Sequence, residues 1–128
     1  MSHTSVVTVT RADQDKINTF ARRHQSNLEI KSEIQRIQLE IQKINDALEE
    51  IELHDDETDG KIPYQMGDLY VFLTQEETED YIKDEQRNAA KRMNALEDKK
   101  KDNDQVLSKL KQELYAKFGK DINLDEES

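Results

Sequence analysis

Apolar residues along this chain keep two different rhythms. In the first half, Ile30, Ile34, Ile37, Ile41, Ile44, Leu48 and Ile51 recur at alternating steps of four and three. That spacing is an a/d heptad seam, the pattern of a helix that packs along a partner helix. Continued backward, the seam falls on Asn27, Arg23 and Phe20, and on Lys16 or Ile17, so it is interrupted and then resumes. In the second half the same steps connect Ile82, Gln86, Ala89, Met93, Leu96, Lys100, Asn103, Leu107, Leu110 and Leu114. Thr74-Gln75-Glu76-Glu77 stands just before this run with the spacing of a capping box. There the hydroxyl and the carboxylate each take a backbone N–H that the first helical turn leaves unpaired.

Between the helical stretches the rhythm changes to two. Ile62, Tyr64 and Met66 alternate, and Leu69-Tyr70-Val71-Phe72-Leu73 follows after Gly67-Asp68. Gly in the first place of a two-residue loop is the mark of a type II′ hairpin turn. Pro63 has no N–H to give a ladder, which suits an edge strand or a strand start. The helix breakers Gly60, Pro63 and Gly67 cluster here, and Gly119 lies where the second helix would stop. The spacing predicts one domain: a flexible stretch over 1–11, a helix over 12–54, a hairpin over 61–73, a helix over 75–118 and an acidic flexible tail over 120–128. A two-stranded hairpin is marginal in water, and this one carries much apolar surface, so it predicts a partner.

If the hairpin folds the chain back, seam residues should meet at regular levels. Ile44 falls opposite Ile82, Ile41 opposite Gln86, Ile37 opposite Ala89, Ile34 opposite Met93 and Ile30 opposite Leu96; the numbers of each pair total 126 or 127. Farther out, Asn27 falls opposite Lys100, Arg23 opposite Asn103, Phe20 opposite Leu107, and Ile17 near Leu110. Polar interruptions therefore coincide, which predicts an antiparallel coiled coil within the chain. Each helix would run roughly 60 Å at 1.5 Å per residue. The polar levels Asn27/Lys100 and Arg23/Asn103 are read as a hinge, because a polar seam residue costs stability and sets register.

Composition narrows the function. Only 34% of the residues are hydrophobic and 38% are charged, a poor ratio for an enclosed core. The net charge of −10 disfavours nucleic acid as a partner. There is no cysteine for a disulfide or a thiolate site, and no apolar run long enough to span a bilayer. Asp55 to Gly60 mimics the start of a calcium loop, but Met66 stands where the bidentate carboxylate belongs, so it is read as a solvated acidic loop. His3, His24 and His54 lack a second ligand at metal spacing. Lys99-Lys100-Lys101 is read as a solvated face. No catalytic, cofactor or metal residues are expected, and the chain is read as a non-enzyme. Ile17, Phe20, Leu110, Leu114, Tyr115 and Phe118 have two readings. They zip the helix ends closed, or they face a ligand where those ends fray.

Several segments resemble the prefoldin family and its β class. They are Val9 to Gln14 with Lys16-Ile17-Asn18 and Phe20-Ala21, Ile62 to Asp68, Gln75 to Thr78, Leu114 to Gly119, and Ile122-Asn123-Leu124. One linking segment with room for a single hairpin fits the β class. The resemblance implies a mainly α fold, a long antiparallel two-helix coiled coil joined by one β-hairpin that enters an oligomeric β-barrel. It implies a cytoplasmic hexamer of two α-class and four β-class subunits that works without ATP. Such a complex captures unfolded actin and tubulin at its coiled-coil tips and delivers them to the cytosolic chaperonin. On that footing Ile62, Tyr64, Met66, Leu69, Val71 and Phe72 carry subunit assembly, and Ile17, Phe20, Leu110, Leu114 and Phe118 contact client or chaperonin. The rival reading is a homodimeric coiled-coil tether.

Overall fold

The structure, a computed structural model, describes residues 8–53 and 61–124. Helix α1 (Arg11–Glu52) is followed by strands β1 (Lys61–Met66) and β2 (Leu69–Thr74), helix α2 (Gln75–Phe118) and a short 3₁₀ turn (Gly119–Asp121). The fold is mainly helical, two long helices with one antiparallel hairpin. The acidic segment Asp55–Gly60, with its calcium-like spacing, lies outside the described residues. The chain divides into two units, residues 33–95 and residues 1–32 with 96–128.

In the unit of residues 33–95 the seam closes on Ile37, Ile44, Ile82 and Ala89, which are all buried. Ile34, Ile41, Gln86 and Met93, at the intervening levels, are half-buried. Burying a side chain such as Ile37 contributes about 1.5–3 kcal/mol, so alternate levels supply most of the grip. Flanking bonds fix the antiparallel sense: Arg92 pairs with Glu40 at 2.6 Å, and Gln86 Nε2 donates to Asn45 Oδ1 at 2.8 Å. Nearer the hairpin, Gln75 Nε2 donates to the Ile51 carbonyl at 2.8 Å. That carbonyl is in the last turn of α1, where no helical N–H is available to it.

The capping box forms at the start of α2. Thr74 N–H donates to Glu77 Oε1 at 3.2 Å, and Glu77 N–H donates to Thr74 Oγ1 at 3.1 Å. The hairpin pairs Lys61 with Thr74 through Met66 with Leu69 around Gly67-Asp68. Gly67 has φ +57°, while no non-glycine residue described has positive φ. This excludes a type I′ turn, which needs positive φ at both central residues, and agrees with type II′.

In the other unit Ile30, Phe20, Leu107, Leu114 and Phe118 are buried. A polar layer interrupts this apolar line. Asn103, 1% exposed, accepts from Arg23 Nη1 at 2.9 Å and donates to Ser26 Oγ at 3.1 Å and Asn27 Oδ1 at 3.0 Å. The Arg23/Asn103 level thus forms as the register placed it. Asn27 meets a different partner from the expected one. Its amide donates to Asp104 at 2.8 Å, and Lys100 reaches the same carboxylate along its own helix at 2.9 Å. A long cation on an exposed edge gains more from a solvated carboxylate one turn away than from an amide in the seam.

Candidate functional site

Two places gather the candidate residues, and neither is a catalytic pocket. Among the described residues no three His, Cys, Asp or Glu side chains come together as metal ligands, and no helix is long and apolar enough to cross a membrane.

The first place is the hairpin. Strand alternation and the register put Ile62, Tyr64 and Met66 on one face with Leu73, Val71 and Leu69. This face is partly covered from within the chain. Ile62 is buried, and the Tyr64 ring stacks on Tyr81 of α2 with centroids 5.8 Å apart. The Tyr64 hydroxyl donates to the Glu85 carboxylate. Burial, and then that bond to Glu85, push the Tyr64 hydroxyl up to about 12. It therefore keeps its proton near neutrality and remains a donor that ties β1 to α2.

Toward the turn this cover ends, and Leu69 is 70% exposed. The opposite face carries Phe72 and Tyr70, 68% and 66% exposed, beside Pro63 and Gln65. Of the six expected assembly residues, five share the partly covered face, and Phe72 stands on the other. Tyr70 belongs with Phe72 and was not among the six. The signal for it was its position two residues before Phe72 in a period-two strand. Among the described residues the sheet has two strands, so each strand also keeps one unpaired edge.

The second place is where α1 begins and α2 ends. The residues expected to touch client or chaperonin form a closed cluster here. Phe20, Leu114 and Phe118 are buried together with Leu107 and Leu124, and Ile17, Leu110, Tyr115 and Ile122 pack against them half-buried. None of the five is presented as open surface. Two devices hold the cluster shut. At the start of α1, Thr10 and Asp13 form a second capping box: Thr10 N–H donates to Asp13 Oδ2 at 3.0 Å, and Asp13 N–H donates to Thr10 Oγ1 at 3.1 Å. The same Asp13 oxygen accepts from Lys117 Nζ in the last turn of α2. Lys117 and the Thr10 backbone bond hold the Asp13 carboxyl down to about 2, with the Lys117 bond the larger cause. The Thr-x-x-Asp spacing was the available signal.

The other device is the segment after α2. Gly119 turns left-handed at φ +55°, as a helix-ending glycine does. The chain then returns: Leu124 is buried, and its N–H donates to the Tyr115 hydroxyl at 3.2 Å. Ile122 and Leu124, expected to belong to a flexible tail, thus pack on the helix ends. Ile122 and Leu124 supply the apolar contact that an acidic composition conceals.

Comparison with known proteins agrees with this geometry. The family model for prefoldin subunits matches residues 14–121. Prefoldin subunit 4 of Bos taurus is 42% identical over 119 residues, covering 93% of this chain and 88% of that protein. Prefoldin subunit 4 of Homo sapiens is 41% identical with the same coverage. In three dimensions the chain is similar to the prefoldin beta subunit from Thermococcus strain KS-1, with a TM-score of 0.74 and 22% identity over 87% of this chain and 96% of that one.

Proposed function

We propose a function from this premise: the chain belongs to the prefoldin subunit family, whose members are non-enzymatic chaperone components that form complexes with one another. In our reading this chain is a β-class subunit of a hexamer with two α-class and three other β-class subunits. The complex works in the cytoplasm without ATP. It takes up unfolded actin and tubulin and passes them to the cytosolic chaperonin.

The observation that carries the reading is the hairpin. Leu69, Tyr70 and Phe72 stand exposed on a two-stranded sheet with unpaired edges. Apolar surface and open ladder positions in one small element favour strand pairing with other subunits. Ile62, Tyr64, Met66, Leu69, Val71 and Phe72 are the assembly residues in this reading, with Tyr70 added. Client contact falls to the apolar cluster of Ile17, Phe20, Leu110, Leu114 and Phe118.

The test mixes the purified chain with the other five subunits and measures mass by light scattering. A defined hexamer is expected. Phe72→Asp with Leu69→Asp should keep the helical circular dichroism and fail to enter it. The hexamer should also suppress aggregation of denatured actin without ATP and release it to added chaperonin. A chain that forms a stable dimer alone, and suppresses no aggregation in any mixture, would instead be a coiled-coil tether.

A further inference from the structure

We propose that Tyr64, Tyr81 and Glu85 form a brace that sets the angle at which the hairpin leaves α2, and that this angle presents the hairpin to the hairpin of a neighbouring subunit. The proposal rests on the assembly reading above and gives Tyr64 a different part in it. Tyr64 is a positioning residue there, held by its own chain rather than by the neighbour.

The brace follows from how the elements are joined. β2 ends at Thr74 and α2 begins at Gln75, so the two meet with no loop between them. Two rods joined at one point pivot about it unless a third link crosses the angle. β1 supplies that link, because the ladder holds it to β2 with Tyr64 opposite Val71. Val71 lies three residues before Thr74, roughly 10 Å along the strand. Tyr81 lies seven residues after Thr74, roughly 10 Å along the helix. Across this angle the Tyr64 and Tyr81 rings stack, 5.8 Å between centroids and 23° between planes. The Tyr64 hydroxyl donates to the Glu85 carboxylate one turn farther on. Thr78, Tyr81 and Glu85 recur at steps of three and four, so they share one side of α2 beside the seam line of Ile82, Gln86 and Ala89. Thr78 is 1% exposed, and its hydroxyl donates to the Thr74 carbonyl at 2.8 Å, which ties the first turn of this side to the end of β2. The three links close a triangle with arms of similar length.

The angle matters because the hairpin is a lever. Leu69 stands five residues from Thr74, roughly 17 Å along an extended strand. A swing of about 20° at the junction moves that end by roughly 6 Å, more than the ~4.8 Å between hydrogen-bonded strands. A neighbour's strand would then meet the wrong ladder positions or none. The bond from phenol to carboxylate is charge-assisted and stronger than one between neutral groups. A hairpin docked one time in ten enters the complex about tenfold more weakly than one always docked.

The experiment is a competition. Tagged parent chain and an untagged variant are mixed in equal amounts with a limiting supply of the other five subunits, and native mass spectrometry counts which chain enters the complex. Tyr64→Phe keeps the ring and loses the donor; Glu85→Ala loses the acceptor. Each should enter about tenfold less often than the parent, with unchanged helical circular dichroism. The double variant should do no worse than either single one. Glu85→Gln, whose amide oxygen still accepts, should return to within about twofold of the parent. Parent-level entry by both single variants would overturn the proposal, as would a double variant whose losses multiply, since Tyr64 and Glu85 would then act separately. No rescue by Glu85→Gln would equally overturn it. A parent chain that enters no defined complex overturns the assembly reading instead. The brace is then judged on the chain alone by nuclear Overhauser contacts between the Tyr64 and Tyr81 rings: their loss in Glu85→Ala supports it, and their persistence sinks it.

Discussion

Asp13 in the first turn of α1 and Lys117 in the last turn of α2 are bonded to each other, and each also serves its own helix. The carboxylate sits at the positive end of one helix dipole and the ammonium at the negative end of the other. Asp13 also caps Thr10. One contact therefore closes an intramolecular pair and stabilises two helix termini.

This pairing makes the helix ends sensitive to acid. The folded-state pKa of Asp13 is lowered from 3.8 to about 2, first by Lys117 and then by the Thr10 backbone bond. A carboxyl depressed on folding contributes stability that is fully present above about pH 4 and lost as pH falls toward 2. Asp13→Asn should therefore lower the melting temperature at pH 7. The difference from the parent should shrink below pH 4 and vanish near pH 2. A constant difference across that range in thermal melts would show that the charge is not the cause.

Removing the hydroxyl of Thr74 tests the cap of α2. Thr74→Ala deletes the acceptor of the Glu77 N–H, and loss of such a cap costs about 1 kcal/mol. Amide exchange should speed up over residues 75–80 and stay unchanged over residues 100–118.

Asn103 is the most demanding polar residue in the seam. Replacing it with Ala would leave Arg23, Ser26 and Asn27 each without one partner around a buried position. An unsatisfied buried group costs about 1–3 kcal/mol. Urea unfolding of Asn103→Ala should show a loss of that size, whereas Lys100→Ala, exposed on the surface, should change stability by less than about 0.5 kcal/mol.

Gly67 carries the turn. No atom lies within 4 Å of where a Cβ would stand, so Gly67→Ala meets no clash. It still forces an L side chain into left-handed backbone at φ +57°, at a cost of about 1–2 kcal/mol. The hairpin should weaken while the helices persist, seen as faster exchange at 61–74 with unchanged helical circular dichroism.

The seam was legible because heptad spacing dictates which residues face a partner helix. Ile37 and Ala89, or Ile44 and Ile82, needed no knowledge beyond their spacing. The Thr74 cap and the Gly67 turn were legible for a similar reason, since only a few residue types satisfy those backbone positions. What the pattern could not supply was the choice among polar partners. Asn27 found Asn103 and Asp104 rather than Lys100, a matter of side-chain reach that register alone does not fix. The packing after α2 was hidden by composition: Ile122 and Leu124 sit among acidic residues that read as a solvated tail. The cap at Thr10 is masked because the apolar rhythm fades before it, although its spacing matches that at Thr74. At the site itself, the residues of both clusters could be named from the sequence, but whether the cluster at the helix ends stood open or closed could not. That depends on the segment after α2, in which Ile122 packs on the cluster and Leu124 is buried in it with its N–H bonded to Tyr115.

The hairpin bears apolar side chains on both faces and, among the described residues, leaves both strand edges unpaired. In the terms of polymer chemistry it is a bifunctional monomer: a neighbour can add at either side, and each addition regenerates an open edge. Such a unit either grows without limit or returns to its starting edge. Only a closed ring of strands leaves no edge reactive. A stable finite assembly through this hairpin therefore requires cyclisation, and its copy number would be set by the curvature of the pairing rather than by the strength of any one contact.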